Sequence, residues 1–122
     1  MEKNFSILEN HSKYHNAVID LLRKEFPLFH IIQEFPVSID GKTLYCDILC
    51  KSPLKFIIEI NSRIHYQFVP MFHNSYDRFL EFQHNDTLKE KWAEINDYLF
   101  IVLKEEDFKK NEYIQIIKDI LK

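Results

Sequence analysis

The 122-residue sequence holds two cysteines, one glycine, no long apolar run and no excess of positive charge, and each shortage closes off a class of protein. Cys46 and Cys50 stand four apart in what reads as one strand, so both side chains are expected on one face, unable to join distant segments. The expectation is a reduced, buried pair, because a structural zinc site needs four organised ligands and there is no second cysteine pair. No stretch reaches the roughly 18 consecutive apolar residues of a membrane span. The segment Met1 to Glu9 lacks the basic and then apolar order of a signal peptide. A soluble, intracellular protein with no membrane partner is expected. With 16 Lys and Arg against 19 Asp and Glu, the net charge is −3, which argues against coating nucleic acid through a broad cationic surface and leaves room for a local basic patch. At 46% hydrophobic and without repeats, the chain is expected to form one domain over residues 1–122.

Apolar periodicity divides the chain into seven elements. Tyr14, Val18, Leu21 and Leu22 recur at helical spacing between His11 and Phe26, with Pro27 at the exit. Ile31 to Ile39 alternates, with Phe35, Val37 and Ile39 on one side and Glu34, Pro36 and Ser38 on the other. Asp40-Gly41 then gives a two-residue hairpin signal. A second strand is expected over Lys42 to Lys51, a loop at Ser52-Pro53-Leu54, and a third strand over Lys55 to Asn61 with Phe56, Ile58 and Ile60 on one face. Residues 62–83 carry aromatics without a clean period and read as an insertion, with a helical turn or two over Ser75 to Phe82. Thr87 and Glu90 fit a capping box for a helix that ends near Asn96 and turns Leu88, Trp92 and Ile95 inward. The continuous apolar run Tyr98 to Leu103 suits a fully buried strand. Lys104 to Lys110 reads as a solvated turn, and Tyr113 to Leu121 as an amphipathic helix with Ile114, Ile117 and Leu121 inward. The order is αβββαβα.

Register arithmetic groups the acidic residues. A two-residue turn at Asp40-Gly41 pairs Ile39 with Lys42 and sets Glu34 opposite Asp47; a three-residue loop at Ser52-Pro53-Leu54 sets Asp47 opposite Glu59 and Tyr45 opposite Asn61. Like charges directly opposed across strands are destabilising, and a hard divalent cation held by their oxygens reverses that sign. Such an ion polarises a phosphoryl oxygen and lowers the pKa of bound water. A two-residue loop at Ser52-Pro53 would instead pair Asp47 with Ile58 and turn Glu59 to the other face, leaving Glu34 and Glu59 to bond neighbouring lysines.

The stretch Tyr45 to Gln67, Y-C-D-I-L-C-K-S-P-L-K-F-I-I-E-I-N-S-R-I-H-Y-Q, resembles the core of the PD-(D/E)XK nucleases. More narrowly, I-E-I-N-x-x-x-H, followed by N-D-T-L-K-E-K-W and D-Y-L-F-I-V-L, is similar to the branch containing very-short-patch-repair-like endonucleases and RAP domains. The resemblance covers roughly residues 11–108. It implies an α/β, restriction-endonuclease-like αβββαβ core with a mixed central sheet, to which periodicity adds the C-terminal helix Tyr113 to Leu121. It also implies Asp47 and Glu59 as metal ligands and Mg²⁺ or Mn²⁺ as the ion, and the register count, not the resemblance, adds Glu34 as a third ligand. Asn61 stands at the third motif position, where the family carries Lys or Asp, and His65 matches the histidine beyond it. Asp86 and Lys89 match the start of the next helix. Because Asn61 holds no positive charge, Lys89, Lys91 or Arg63 would have to supply it.

Two functions follow from the resemblance. The first is a Mg²⁺-dependent endonuclease hydrolysing phosphodiester bonds, in DNA rather than RNA, with Asp47, Glu59, Asn61 and His65 at the chemistry and Arg63, Gln67 and Lys89 nearest the nucleic-acid backbone. The second is a catalytically inactive module on the same fold that binds RNA or a protein partner, as RAP domains are thought to. A homodimer is expected with the nuclease, since a lone 122-residue nuclease cuts one strand at a time, and a larger assembly with a third reading, a purely structural partner whose aromatic insertion is the contact surface. Tyr66, Phe68 and Phe72 would stack on unpaired bases or, as the better reading, be buried over the core or against a dimer partner.

Overall fold

The computed structural model describes the backbone of residues 2–122 and the side chains of residues 11–122. The side chains of the Met1 to Glu9 segment read above therefore lie outside the described residues. The chain runs α1 (Glu2–Glu25), β1 (Ile31–Ile39), β2 (Lys42–Cys50), β3 (Phe56–Asn61), a 3₁₀ turn (Arg63–His65), α2 (Pro70–His73), α3 (Tyr76–Ile95), β4 (Leu99–Lys104), α4 (Glu105–Lys109) and α5 (Tyr113–Leu121). The four strands form one mixed sheet in the order β1-β2-β3-β4, antiparallel except for the parallel pair β3-β4, which α3 connects. No described helix is long and apolar enough to cross a membrane.

Helices cover both faces. Val18 and Leu22 of α1, Phe108 of α4 and Ile117 and Leu121 of α5 pack on one face against Ile48, Phe56, Ile58 and Ile60. Ala93 and Trp92 of α3 pack on the other against Val37, Leu49 and Ile57. Buried from both sides, β3 is apolar at every position but Glu59 and Asn61, as a central strand requires. The hairpin at Asp40-Gly41 holds Ile39 against Lys42, with both turn residues at positive φ (51° and 76°), a conformation open to Asp and Gly.

Four expectations are corrected. Thr87 is no helix cap: α3 starts eleven residues earlier, where the Ser75 hydroxyl accepts from the Arg78 N–H at 3.3 Å, while Thr87 Oγ1 donates to the Gln83 carbonyl inside the helix. Ile95 does not face the core but is 65% exposed at the last turn. The apolar run at β4 is an edge strand whose residues alternate, leaving Leu99 and Val102 partly in solvent. Residues 105–109 form a short helix rather than a solvated turn, because Phe108 is buried and stacks on Tyr14 at 4.3 Å.

Candidate metal and phosphodiester site

The expected registers hold. Gln33↔Ile48 and Phe35↔Cys46 bracket the Glu34/Asp47 step, and β2 pairs β3 in the expected register from Cys50↔Phe56 to Ile48↔Ile58, one step short of Asp47 and Glu59. What the count misses is a change of face. Cys46 and Leu49, three apart, both pack on the α3 side, whereas Ile48 and Cys50 pack on the α1 side, so strand alternation slips by one between them. β1 makes the same slip: Ile32 and Phe35 both meet the α3-side cluster, and Glu34 between them sits at φ +53°. Because both strands slip together, the register survives while the side chains change sides. The two cysteines, expected on one face, consequently occupy opposite faces; both are free and buried, and burial pushes the Cys46 thiol up to about 12.

The slip puts the carboxylates where strands part. Instead of continuing the ladder, the Asp47 N–H donates to Glu59 Oε2 at 2.7 Å and the Ile60 N–H donates to Asp47 Oδ2 at 2.8 Å. Asp47 then reaches toward α1, with His11 Nε2 3.7 Å from Oδ2. Glu59 reaches toward α3, where Lys89 Nζ donates to Oε1 at 2.6 Å. Both Glu59 oxygens are thus engaged, as burial of a carboxylate that is only 2% exposed demands.

Charge follows position. Burial, with the Asp47 charge adding, pushes the Glu59 carboxyl up to about 7 against the pull of Lys89. Burial acts upward on Asp47 as well, but His11 and the Ile60 N–H outweigh it and hold the carboxyl below its usual value. Asp47 in turn raises His11 against the opposing effect of burial. Burial lowers Lys89, and the Glu59 carboxylate more than restores it, so the ammonium stays charged.

Of the three expected metal ligands, Glu34 and Asp47 come together, and the third donor beside them is His15, not Glu59. Ligand atoms of His15, Glu34 and Asp47 all lie within 4.8 Å of one another. A cavity of about 250 Å³, lined in part by His11, His15, Gln33 and Glu34, opens beside them, and His15 Nε2 is 3.0 Å from Gln33 Oε1. Two carboxylates and an imidazole suit a divalent cation that keeps several waters. The sequence carried a signal for this group, since His11 and His15 stand one helical turn apart on the face of α1 that meets the sheet.

The other expected residues fall on the α3 side. His65 Nδ1 is 2.9 Å from Asp86 Oδ2, and Asp86 and Lys89 lie one turn apart within α3 rather than at its start. Asn61 ends β3, half-buried and in register with Lys104. Of the three candidates for the missing positive charge, Lys89 alone pairs with Glu59; Lys91 lies 3.8 Å from Asp40, and the Arg63 Nε is buried without a hydrogen-bond partner. Gln67 is exposed. Phe68, Phe72, Phe79 and Phe82 pack around the buried His73, whose Nδ1 accepts from the Val69 N–H at 3.0 Å while Nε2 donates to the Ile64 carbonyl at 2.8 Å. The insertion is therefore a helical cap with its own aromatic core.

No family model matches the chain, and no characterised protein or solved structure matches it.

Proposed function

We propose that this chain is a restriction-endonuclease-like nuclease core that hydrolyses phosphodiester bonds, in DNA before RNA, with a divalent metal. The observation that carries the reading is the convergence, where β1, β2 and β3 part, of Asp47 and Glu34 with His15 on one side and of the Glu59–Lys89 pair on the other. His15, Glu34 and Asp47 would hold Mg²⁺ or Mn²⁺, which supplies Lewis-acid polarisation of a phosphoryl oxygen and a bound water of lowered pKa. The chain's own residues do the rest. Glu59 fixes Asp47 through its backbone N–H and orients Lys89, whose ammonium stabilises negative charge developing on the phosphate. Lys89 thereby supplies from α3 the charge that Asn61 cannot hold at the end of β3.

One observation favours the second reading, an inactive module that binds RNA or a protein: Lys89 and the Asp47 N–H together occupy both Glu59 oxygens. Labelled DNA and RNA substrates incubated with Mg²⁺ or Mn²⁺ separate the two. Metal-dependent cutting that is lost in Asp47→Ala and Glu59→Ala supports the nuclease. Absence of cutting in every condition, with nucleic acid or a partner still bound, overturns it in favour of the module.

A further inference from the structure

On the α3 side of the Glu59–Lys89 pair a second cavity, of about 370 Å³, opens between β2 and α3. That volume lies in the usual range for small-ligand sites, about 300–1,000 Å³. Its walls combine two chemistries. Tyr45, Phe72 and Phe82 present aromatic surface, and Asn85, Asp86 and Lys89 bring polar groups to it. Tyr45 is 55% exposed at the lip, so core packing does not explain an aromatic residue there. Phe82 is held in place from behind, with its ring 5.2 Å from the buried His73 and 6.1 Å from Phe72. At the rim, Lys42 Nζ donates to Asn85 Oδ1 at 3.3 Å, placing a second cation beside the opening.

We propose that this cavity receives one unpaired base of a nucleic-acid strand, with the adjoining phosphates at Lys42 and Lys89. The inference rests on the nuclease reading for its choice of ligand, because Lys89 is shared between the cavity and the Glu59 pair. Aromatic faces stack on any base, an asparagine amide reads a base edge, and lysines meet phosphate oxygens as point charges. A net charge of −3 offers no broad cationic surface for an intact duplex, whereas one stacked base with two lysines needs none. The substrate class is accordingly single-stranded or locally unpaired nucleic acid, since a base inside a duplex must leave the stack to enter.

The test uses the full chain with chelator present, so that binding is read without cutting. A single-stranded DNA oligonucleotide carrying one 2-aminopurine is titrated with protein and followed by anisotropy and by 2-aminopurine emission. The blunt duplex of the same sequence is the comparison. The single strand is expected to bind at least tenfold tighter than the duplex, with emission changing on binding. Tyr45→Ala is expected to weaken it by about five- to 150-fold, the span for alanine substitution of single stacking residues, and Phe82→Leu to weaken it in the same direction. Tyr45 is exposed, so its variant keeps the test sound should Phe82→Leu disturb the cap; thermal melting checks both. Strand preference lost in Tyr45→Ala, in a protein that never cuts, upholds the cavity while the nuclease reading fails. Metal-dependent cutting with no strand preference and no effect of Tyr45→Ala overturns the cavity while the nuclease stands.

Discussion

Glu59 makes the stability of the metal-free protein fall as pH rises, and its replacement by Gln should flatten that fall. The carboxyl, 2% exposed, is pushed from an ordinary 4.5 up to about 7, chiefly by burial. A raised carboxyl binds more protons in the folded chain than in the unfolded one between those two values. Its contribution is therefore fully present below pH 4.5 and lost as pH climbs through about 7. At about 1.4 kcal/mol per unit, the loss is roughly 3 kcal/mol, or about 2 M in urea midpoint at a slope near 1.5 kcal/mol per M. Neighbouring groups act in other windows. Asp47, held below its ordinary 3.8, loses its contribution as pH falls below that value; His11, raised above 6.5, loses its own as pH climbs past it. Urea denaturation with chelator at half-unit steps from pH 5 to 8 should show wild type falling steadily, and Glu59→Gln flat up to about pH 6.5 with only the His11 decline beyond. A wild-type midpoint that is constant or rises from pH 5 to 7, or an unchanged slope in Glu59→Gln, would refute the assignment.

Lys89→Met removes the partner of a buried carboxylate, so the cost should approach 3–5 kcal/mol at pH 8 and shrink at pH 5, where Glu59 protonates instead; denaturation at the two pH values measures the difference. Ile58→Ala, at a fully buried position of the central strand, should cost about 2–5 kcal/mol in the same assay. Ser75→Ala should cost about 1 kcal/mol as the cap of α3, whereas Thr87→Ala should stay within about 0.5 kcal/mol, reversing the order the capping-box pattern would give.

Much of the architecture was legible because it rests on short-range chemistry. The Asp40-Gly41 turn and the Ser52-Pro53-Leu54 loop set both registers, and the bounds of β1 and α5 follow from their periodicity. The start of α3 was not legible: Thr87 and Glu90 carry the capping pattern inside a helix, while Ser75 offers its hydroxyl among aromatics that mask the period. β4 reads as buried because an apolar run does not say which side of a sheet it closes. The site was half legible. Counting residues aligned Glu34, Asp47 and Glu59, but strand alternation is a rule about regular backbone, and Glu34 at φ +53° breaks it. Hence Asp47 turned to the histidines of α1 and Glu59 to Lys89, a division that no count of residues along the strands contains.

The central claim, that His15, Glu34 and Asp47 form a site for one divalent ion, is tested most directly by titrating the protein with Mn²⁺ and following the free ion by electron paramagnetic resonance. One ion per chain is expected, with affinity lost in Asp47→Asn, reduced at least tenfold in Glu34→Gln and His15→Ala, and little changed in Glu81→Gln, an exposed carboxylate on α3 outside the donor set. Binding of equal strength in wild type and Asp47→Asn, or no binding at millimolar Mn²⁺, would contradict it.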